Sequence, residues 1–291
     1  MIIKKNTLED LIALYKEKVN QDKYKIIYET FKEYRIKIKN YIAFLVRPLN
    51  RTNKFTKERY DIIHTNRNIL NSLIPTFNKK VHEYKGEKFF ASEGLMKKIY
   101  QNVVINIIEY TKVANVLEVG CGSGINLKIL SDYFNNTKFY GIDQSTAGIA
   151  KATELKSSLI NDKYTEGLKF NFNYKKNNEN LNFKEEDAQN LGFSDESFEL
   201  VYTILALEQM SNIQTKVIDQ IKRVSKKYIL LIEPFKDLNS TGIKYFYHKS
   251  KKYFDLDTKD IEDNKWKIIE YNSDFPNLLH LRTGWLLLKK N

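Results

Sequence analysis

Three glycines spaced two apart, Gly120, Gly122 and Gly124, follow the apolar run Val116–Val119, and one acid, Glu118, stands two residues before the first of them. Glycine has no Cβ and tolerates positive φ, so a turn of this kind lets the backbone come unusually close to a small ligand and offer its N–H groups. A dinucleotide turn would read G-x-G-x-x-G and seat a pyrophosphate on the following helix N-terminus. Here the carboxylate of Glu118 would repel a pyrophosphate and attract a cationic amino-acid group. Asp143, about twenty residues beyond the turn, is spaced to accept the two hydroxyls of a ribose. Farther on stand Asp187, Glu208 and Glu233, and two imidazoles, His248 and His280. A proton-transfer role needs a carboxylate or imidazole within hydrogen-bonding distance of the reacting atom.

These residues sit at the ends of predictable elements. Asn115–Val119 reads as a buried parallel strand and Ile125–Leu130 as the opening of a helix, which together make the first unit of a doubly wound α/β sheet. Thr137–Asp143 reads as the second strand, with Ser145 as N-cap of the next helix. Asn182–Asp187 reads as a third strand and Phe193–Gln209 as a turn, a fourth strand and the loop after it. A helix over 213–224 precedes a fifth strand, Tyr228–Glu233. Trp266–Tyr271 and Trp285–Lys289 complete seven strands, the last reversed. The low-complexity stretch Lys175–Asn180 reads as a surface loop, and the alternation in Lys169–Tyr174 fits a short strand.

The segment Val116–Gln209, with Glu118-x-Gly120-x-Gly122-x-Gly124, Asp143, Asp187 and FELVYTILALEQ in order, resembles the class I S-adenosylmethionine-dependent methyltransferases. The resemblance implies a Rossmann-like methyltransferase fold, a seven-stranded and mostly parallel doubly wound sheet. It also implies S-adenosyl-L-methionine as cofactor and S-adenosyl-L-homocysteine as product. Carried onto this sequence, the cofactor residues are Glu118, Gly120, Cys121, Gly122, Gly124, Asp143, Gln144, Asp187, Ala188 and Ile204, with Asp187 on the adenine amino group. Cys121 reads as a small spacer in the loop. The fourth-strand sequence followed by an IEPF strand end resembles enzymes acting on small molecules, including sugar and natural-product acceptors, with methyl transfer to oxygen or nitrogen. Glu208, His248 and Glu233 are the candidate bases, and Tyr245 and Tyr247 candidates to orient the acceptor. Exocyclic-amine enzymes carry Asn or Asp, two prolines and an aromatic after the fourth strand, which is absent here. Cytosine C5 enzymes need a thiol nucleophile, and the sole cysteine is Cys121. Two further readings stay open: an RNA or protein methyltransferase, and a noncatalytic cofactor-binding partner subunit.

Composition bounds the surroundings. The 291 residues carry a net charge of +12. Residues 1–111 hold 22 Lys and Arg against 12 Asp and Glu, a balance of +10, and the remainder holds 26 against 24. The excess lies in the leader, where it either forms a docking surface for an anionic partner such as nucleic acid or reflects a general lysine bias. Residues 1–90 read as a helical extension and 91–291 as the cofactor-binding domain, with a lid or acceptor segment near 234–264. Apolar positions at 24, 27, 28, 31, 34, 38, 41, 42 and 45 predict a helix that stops at Pro48, and its stripe reads as packing surface against the core or a second copy, hence a homodimer. A second helical segment runs over 59–74. Phe89 and Phe90 could line the site, just ahead of a helix over 93–110 capped by Ser92. No eighteen-residue apolar run spans a membrane, and the start carries no signal-peptide core. One cysteine and no metal-ligand spacing among His64, His82, His248 and His280 point to a cytoplasmic, metal-independent enzyme.

Overall fold

Strand after strand, the apolar residues alternate between the two faces of one sheet, and each face carries its own core. The computed structural model describes residues 5–48, 52–66, 70–160, 162–168, 172, 174 and 178–291. The central strands are β3 (Asn115–Val119), β4 (Lys138–Asp143), β5 (Leu181–Glu185), β6 (Phe198–Ile204), β7 (Ser225–Glu233), β8 (Trp266–Asn272) and β10 (Gly284–Lys290). Their order is β5-β4-β3-β6-β7-β10-β8, and β10 alone runs against its neighbours. Val116, Leu200, Tyr202, Leu230, Ile232, Trp285 and Leu287 belong to one core. Their sequence neighbours Leu117, Val201, Ile229, Leu231, Leu286 and Leu288 belong to the other. This is the two-residue period of a sheet covered on both sides.

The helices follow the expected α/β order. α4 (Gly94–Thr111) leads into β3, α5 (Ile125–Tyr133) joins β3 to β4, and α6 (Thr146–Lys156) and the short α7 (Asp162–Thr165) lead toward β5. α8 (Gln214–Val224) joins β6 to β7, and α9 (Gly242–Lys251) follows β7. α4 is buried along almost its whole length. Ser145 caps α6 as expected, its Oγ accepting from Gly148 N at 2.9 Å. The expected alternating strand over 169–174 falls largely outside the described residues.

The leader is only partly helical. α1 (Lys5–Glu17), α2 (Lys23–Val46) and α3 (Asn53–Asn66) are followed by a 3₁₀ turn, Leu70–Leu73, and then by a hairpin of β1 (Lys79–Tyr84) and β2 (Glu87–Ser92). Lys85 and Gly86 form its two-residue turn, both at positive φ (49° and 81°), the geometry that matches strand twist. Phe89 and Phe90 lie on β2 and are buried, Phe89 stacked on His82, so they pack and do not line the site. The short strand β9 (Asn277–Leu278), close to the end of the chain, pairs with His82 and Glu83 of β1. On α2, Ile26 and Thr30 face inward, while much of the predicted apolar stripe faces away from the core. The segment read as a lid, 234–264, packs through α9 against α2, with Tyr41 4.9 Å from Phe246 ring to ring.

Leu11, Ile12, Tyr15 and Phe89 share the core of α4 and β3. Burying each such side chain contributes roughly 2 kcal/mol, against a total stability of about 5–15 kcal/mol. Removing residues 1–90 should therefore abolish cooperative unfolding, seen as loss of the thermal transition by circular dichroism. An unchanged transition would mean that the leader is a separable appendage.

Candidate active site

At the end of β3 the chain enters three successive left-handed glycines, with φ of 80°, 53° and 73° at Gly120, Gly122 and Gly124. A Cβ on Gly120 would sit 2.5 Å from the Ala206 Cβ, and one on Gly122 would sit 3.0 Å from the His64 ring. The amides of the three glycines and of Cys121 are committed inside the protein. Gly120 N and Cys121 N donate to Ile142 O at 2.8 and 2.9 Å, Gly124 N donates to Cys121 O, and Gly122 N donates to Asp143 Oδ2 at 2.9 Å. The expectation that these amides hold the ligand is thus corrected: the glycines serve close approach of other chain segments, and the turn presents a Cβ-free surface.

Asp143 joins two loops. Its Oδ2 takes the Gly122 amide, and its Oδ1 takes Ser145 N at 2.8 Å. Burial raises its pKa, against the pull of those two amides. The turn after β4 is itself latched by Asp61 of α3, whose Oδ1 accepts from Ser145 Oγ at 2.7 Å and Ala147 N at 3.1 Å. Lys57 pairs with Glu185, and Lys151 Nζ donates to Thr65 O, so α3 lies across the carboxyl edge of the sheet.

Between α3, α4 and that edge is a cavity of about 290 Å³. Gly120, Cys121, Gly122, Asp143, Gln144, Asp187, Ala188 and Ile204, all expected from the sequence, line it. Glu118 and Gly124 do not. Glu118 is buried behind the turn, where its Oε1 accepts from Asn126 Nδ2 at 2.9 Å, and it is Asn126 that reaches the cavity. Gly124 gives room to Phe183, whose ring lies 2.5 Å from an ideal Cβ at that position. Burial of Cys121 pushes its thiol pKa well up, in keeping with a spacer.

None of the three candidate bases reaches the cavity. Glu233 is fully buried and accepts the amides of Ala206, Leu207 and Glu208 at 3.0, 3.1 and 3.3 Å, so its carboxylate shapes the loop after β6. Glu208 is buried beside that loop, its Oε1 accepting from the side chain of Gln209, and Gln209 is the residue that lines the cavity. His248 is buried on α9 with Nε2 3.3 Å from Pro234 O. Tyr247 packs between Lys37 and His280, and Tyr245 against Tyr41. His280 in turn places Nδ1 2.6 Å from Glu33 of α2.

The sequence reading missed the far wall: Thr56, Tyr60 and His64 of α3, and Lys97 and Tyr100 of α4. The first three are four residues apart and so share one helix face, a signal that was present but attached to no known motif. Gln209, Met210 and Ile213 close the wall beside β6. The cavity's acids, Asp143, Glu186 and Asp187, come from the sheet edge, and its lysine, Lys97, from α4.

Burial pushes the Glu118 carboxyl up to about 7 from an ordinary 4.5. The folded state therefore holds a proton that the unfolded state has lost, and stability falls as pH rises from about 4.5 to 7. Glu118→Gln keeps an acceptor for Asn126 and removes the buried charge. Thermal melts should show it more stable than the parent at pH 8, by up to about 3 kcal/mol, and equal near pH 4. Gly120→Ala should destabilise the turn through both the Ala206 clash and the strained φ, with Ala206→Gly relieving the first alone.

Residues 117–231 match the family model described as a methyltransferase domain. No curated protein matches the chain. Among solved structures, the [4+2]-cyclase SpnF superposes with a TM-score of 0.51 at 16% identity, over 84% of this chain and 97% of its own. Magnesium protoporphyrin IX methyltransferase (ChlM) from Synechocystis PCC 6803, with bound SAH, gives 0.49 at 16% identity, over 67% and 84%. The methyltransferase domain of bacterial CtHen1-C gives 0.48 at 12% identity, over 67% and 99%.

Proposed function

We propose that the chain is a class I S-adenosylmethionine-dependent methyltransferase that transfers a methyl group to an oxygen or nitrogen of a small acceptor, a reading supported by the match of residues 117–231 to a methyltransferase-domain model. The observation that carries the acceptor class is the partly apolar cavity wall opposite the strand ends, built of Tyr60, Tyr100, Met210 and Ile213. Such a wall suits a compact, partly apolar molecule better than a polymer.

The residues fit the cofactor on chemical grounds. Asp143 already spends one hydrogen bond per oxygen on Gly122 and Ser145, and its carboxylate keeps lone pairs for the two ribose hydroxyls. Asp187 and Ala188 at the end of β5 meet the adenine edge. Lys97 on α4, which also lines the cavity, suits the methionine carboxylate. When bound, the cofactor supplies an electrophilic methyl carbon on a sulfonium. The protein's part is alignment and exclusion of water, since an in-line displacement gains most from holding its partners on one axis. The Ala206–Glu208 loop, fixed by Glu233, sets the wall on which the acceptor rests. An oxygen acceptor must also lose a proton. His64 is the histidine on the cavity wall, and we assign it that role in place of Glu208, Glu233 and His248.

Asp143→Ala should weaken S-adenosylmethionine binding by calorimetry at a cost of about 1–3 kcal/mol, since buried partners lose an acceptor. Unchanged affinity would remove the cofactor assignment of that residue. His64→Asn should lower kcat on the order of a hundredfold while cofactor affinity holds. If the variant turns over like the parent, His64 does not take the proton.

A further inference from the structure

The outward face of α2 is apolar along its length. Tyr24, Tyr28, Phe31, Ile38, Ile42 and Leu45 are between 43% and 87% exposed. With Arg35 they fall at alternating spacings of four and three, one straight seam of roughly 32 Å at 1.5 Å per residue. Charge is sorted with equal clarity. Every exposed charged residue of α2 is a cation: Lys23, Lys25, Lys32, Arg35 and Lys39. Of the two acids, Glu33 is turned inward to His280, and Glu29 lies half-buried in an ion pair with Lys32 at 3.0 Å, leaving Lys23, Lys25, Arg35 and Lys39 as the excess positive charge. Lys25, Lys32 and Lys39 recur every seven residues and form one row beside the seam.

That row decides the occupant. Were a second copy to pair along the seam, an antiparallel arrangement would bring lysine row against lysine row. A parallel one would set the same lysines against Ile27, Tyr34 and Tyr41. Neither supplies an acid. A flat anionic surface answers both features at once, accepting the apolar ridge between its chains and the lysines at its headgroups. Tyrosine, with an apolar ring and a polar tip, suits that depth. Among the described residues no helix is long and apolar enough to cross a membrane, so the contact is one of lying on the surface.

We propose that α2 docks this protein, parallel to the surface, onto membranes rich in anionic lipid. The test is flotation of the full chain with vesicles of phosphatidylcholine alone and with about one third phosphatidylserine. The chain should float with the anionic vesicles and not the neutral ones, and added salt should release it. Lys25→Ala/Lys32→Ala/Lys39→Ala should weaken the partition on the order of a hundredfold. Phe31→Ser/Ile42→Ser should weaken it with the melting temperature held, because both side chains are exposed in the parent. Equal flotation of the parent with both vesicles, undiminished flotation of the lysine variant, or no flotation at all would overturn the proposal. So would a parent that stays off vesicles and forms a dimer broken by the Phe31→Ser/Ile42→Ser pair.

Discussion

The carboxylate of Asp143 holds the cavity floor together. One oxygen takes an amide from the glycine turn after β3, and the other takes an amide from the turn after β4. The two turns belong to neighbouring parallel strands, whose carboxyl ends would otherwise open freely into solvent. Tied through one buried group, they present a fixed edge. Asp61 extends the tie outward, since it grips Ser145 Oγ and Ala147 N from α3 and so fixes the roof relative to the floor. A carboxylate is suited to this because it accepts on both oxygens and retains lone pairs for a ligand, which an amide or hydroxyl could do only in part.

A second carboxylate repeats the device on the other side of the cavity. Glu233 ends β7 and collects three consecutive amides from the loop after β6. Burial pushes its carboxyl up to about 7, while the amides favour the charged form. Leu205, at a φ of 52°, turns the chain just before that loop, and its amide reaches Ile232 O. Gln214 adds a strut, donating to Leu207 O and accepting from Asp255 N. Acids at strand ends thus act on backbone here, and only some of them also reach the ligand space. This is why a reading that equates a strand-end acid with a reacting group misassigns Glu233.

The sheet was legible because its signals are local. Strand alternation, the glycine turn, the Ser145 cap and the spacing to Asp143 and Asp187 each lie within a short window, and each of the seven predicted strands of the main sheet formed within a few residues of its reading. The hairpin at Lys79–Ser92 was not read, although its Lys85–Gly86 turn is a usable signal, because the flanking charges mask the alternation of Val81, Phe89 and Ala91. The far wall of the cavity was out of reach for a different reason. Tyr60, His64, Lys97 and Tyr100 come together only when α3 packs on α6 and α4 on the core, and the first of these depends on long-range contacts such as Asp61 with Ser145. The direction of α2 was open for the same reason: periodicity shows that a helix has an apolar stripe, and does not say whether the stripe faces a core or another surface. Thr30 and Ile26 mark the inward face, and one of them is polar.

Fold alone leaves the chemistry open, and the superposition on a [4+2]-cyclase makes the point concretely, because its likeness extends over most of this chain. What separates reactions on a shared sheet is the content of the wall opposite the strand ends. Here that wall is supplied by the leader, through α3, and by α4, which the leader's hairpin introduces. The same leader lends α1 to the core and pairs β1 with β9 near the end of the chain. An element that roofs the site is therefore also one the fold depends on. Changes in the part of the acceptor-facing wall that the leader supplies must keep the Asp61 latch and the buried face of α1 intact, which leaves to vary there the few side chains of α3 that line the cavity.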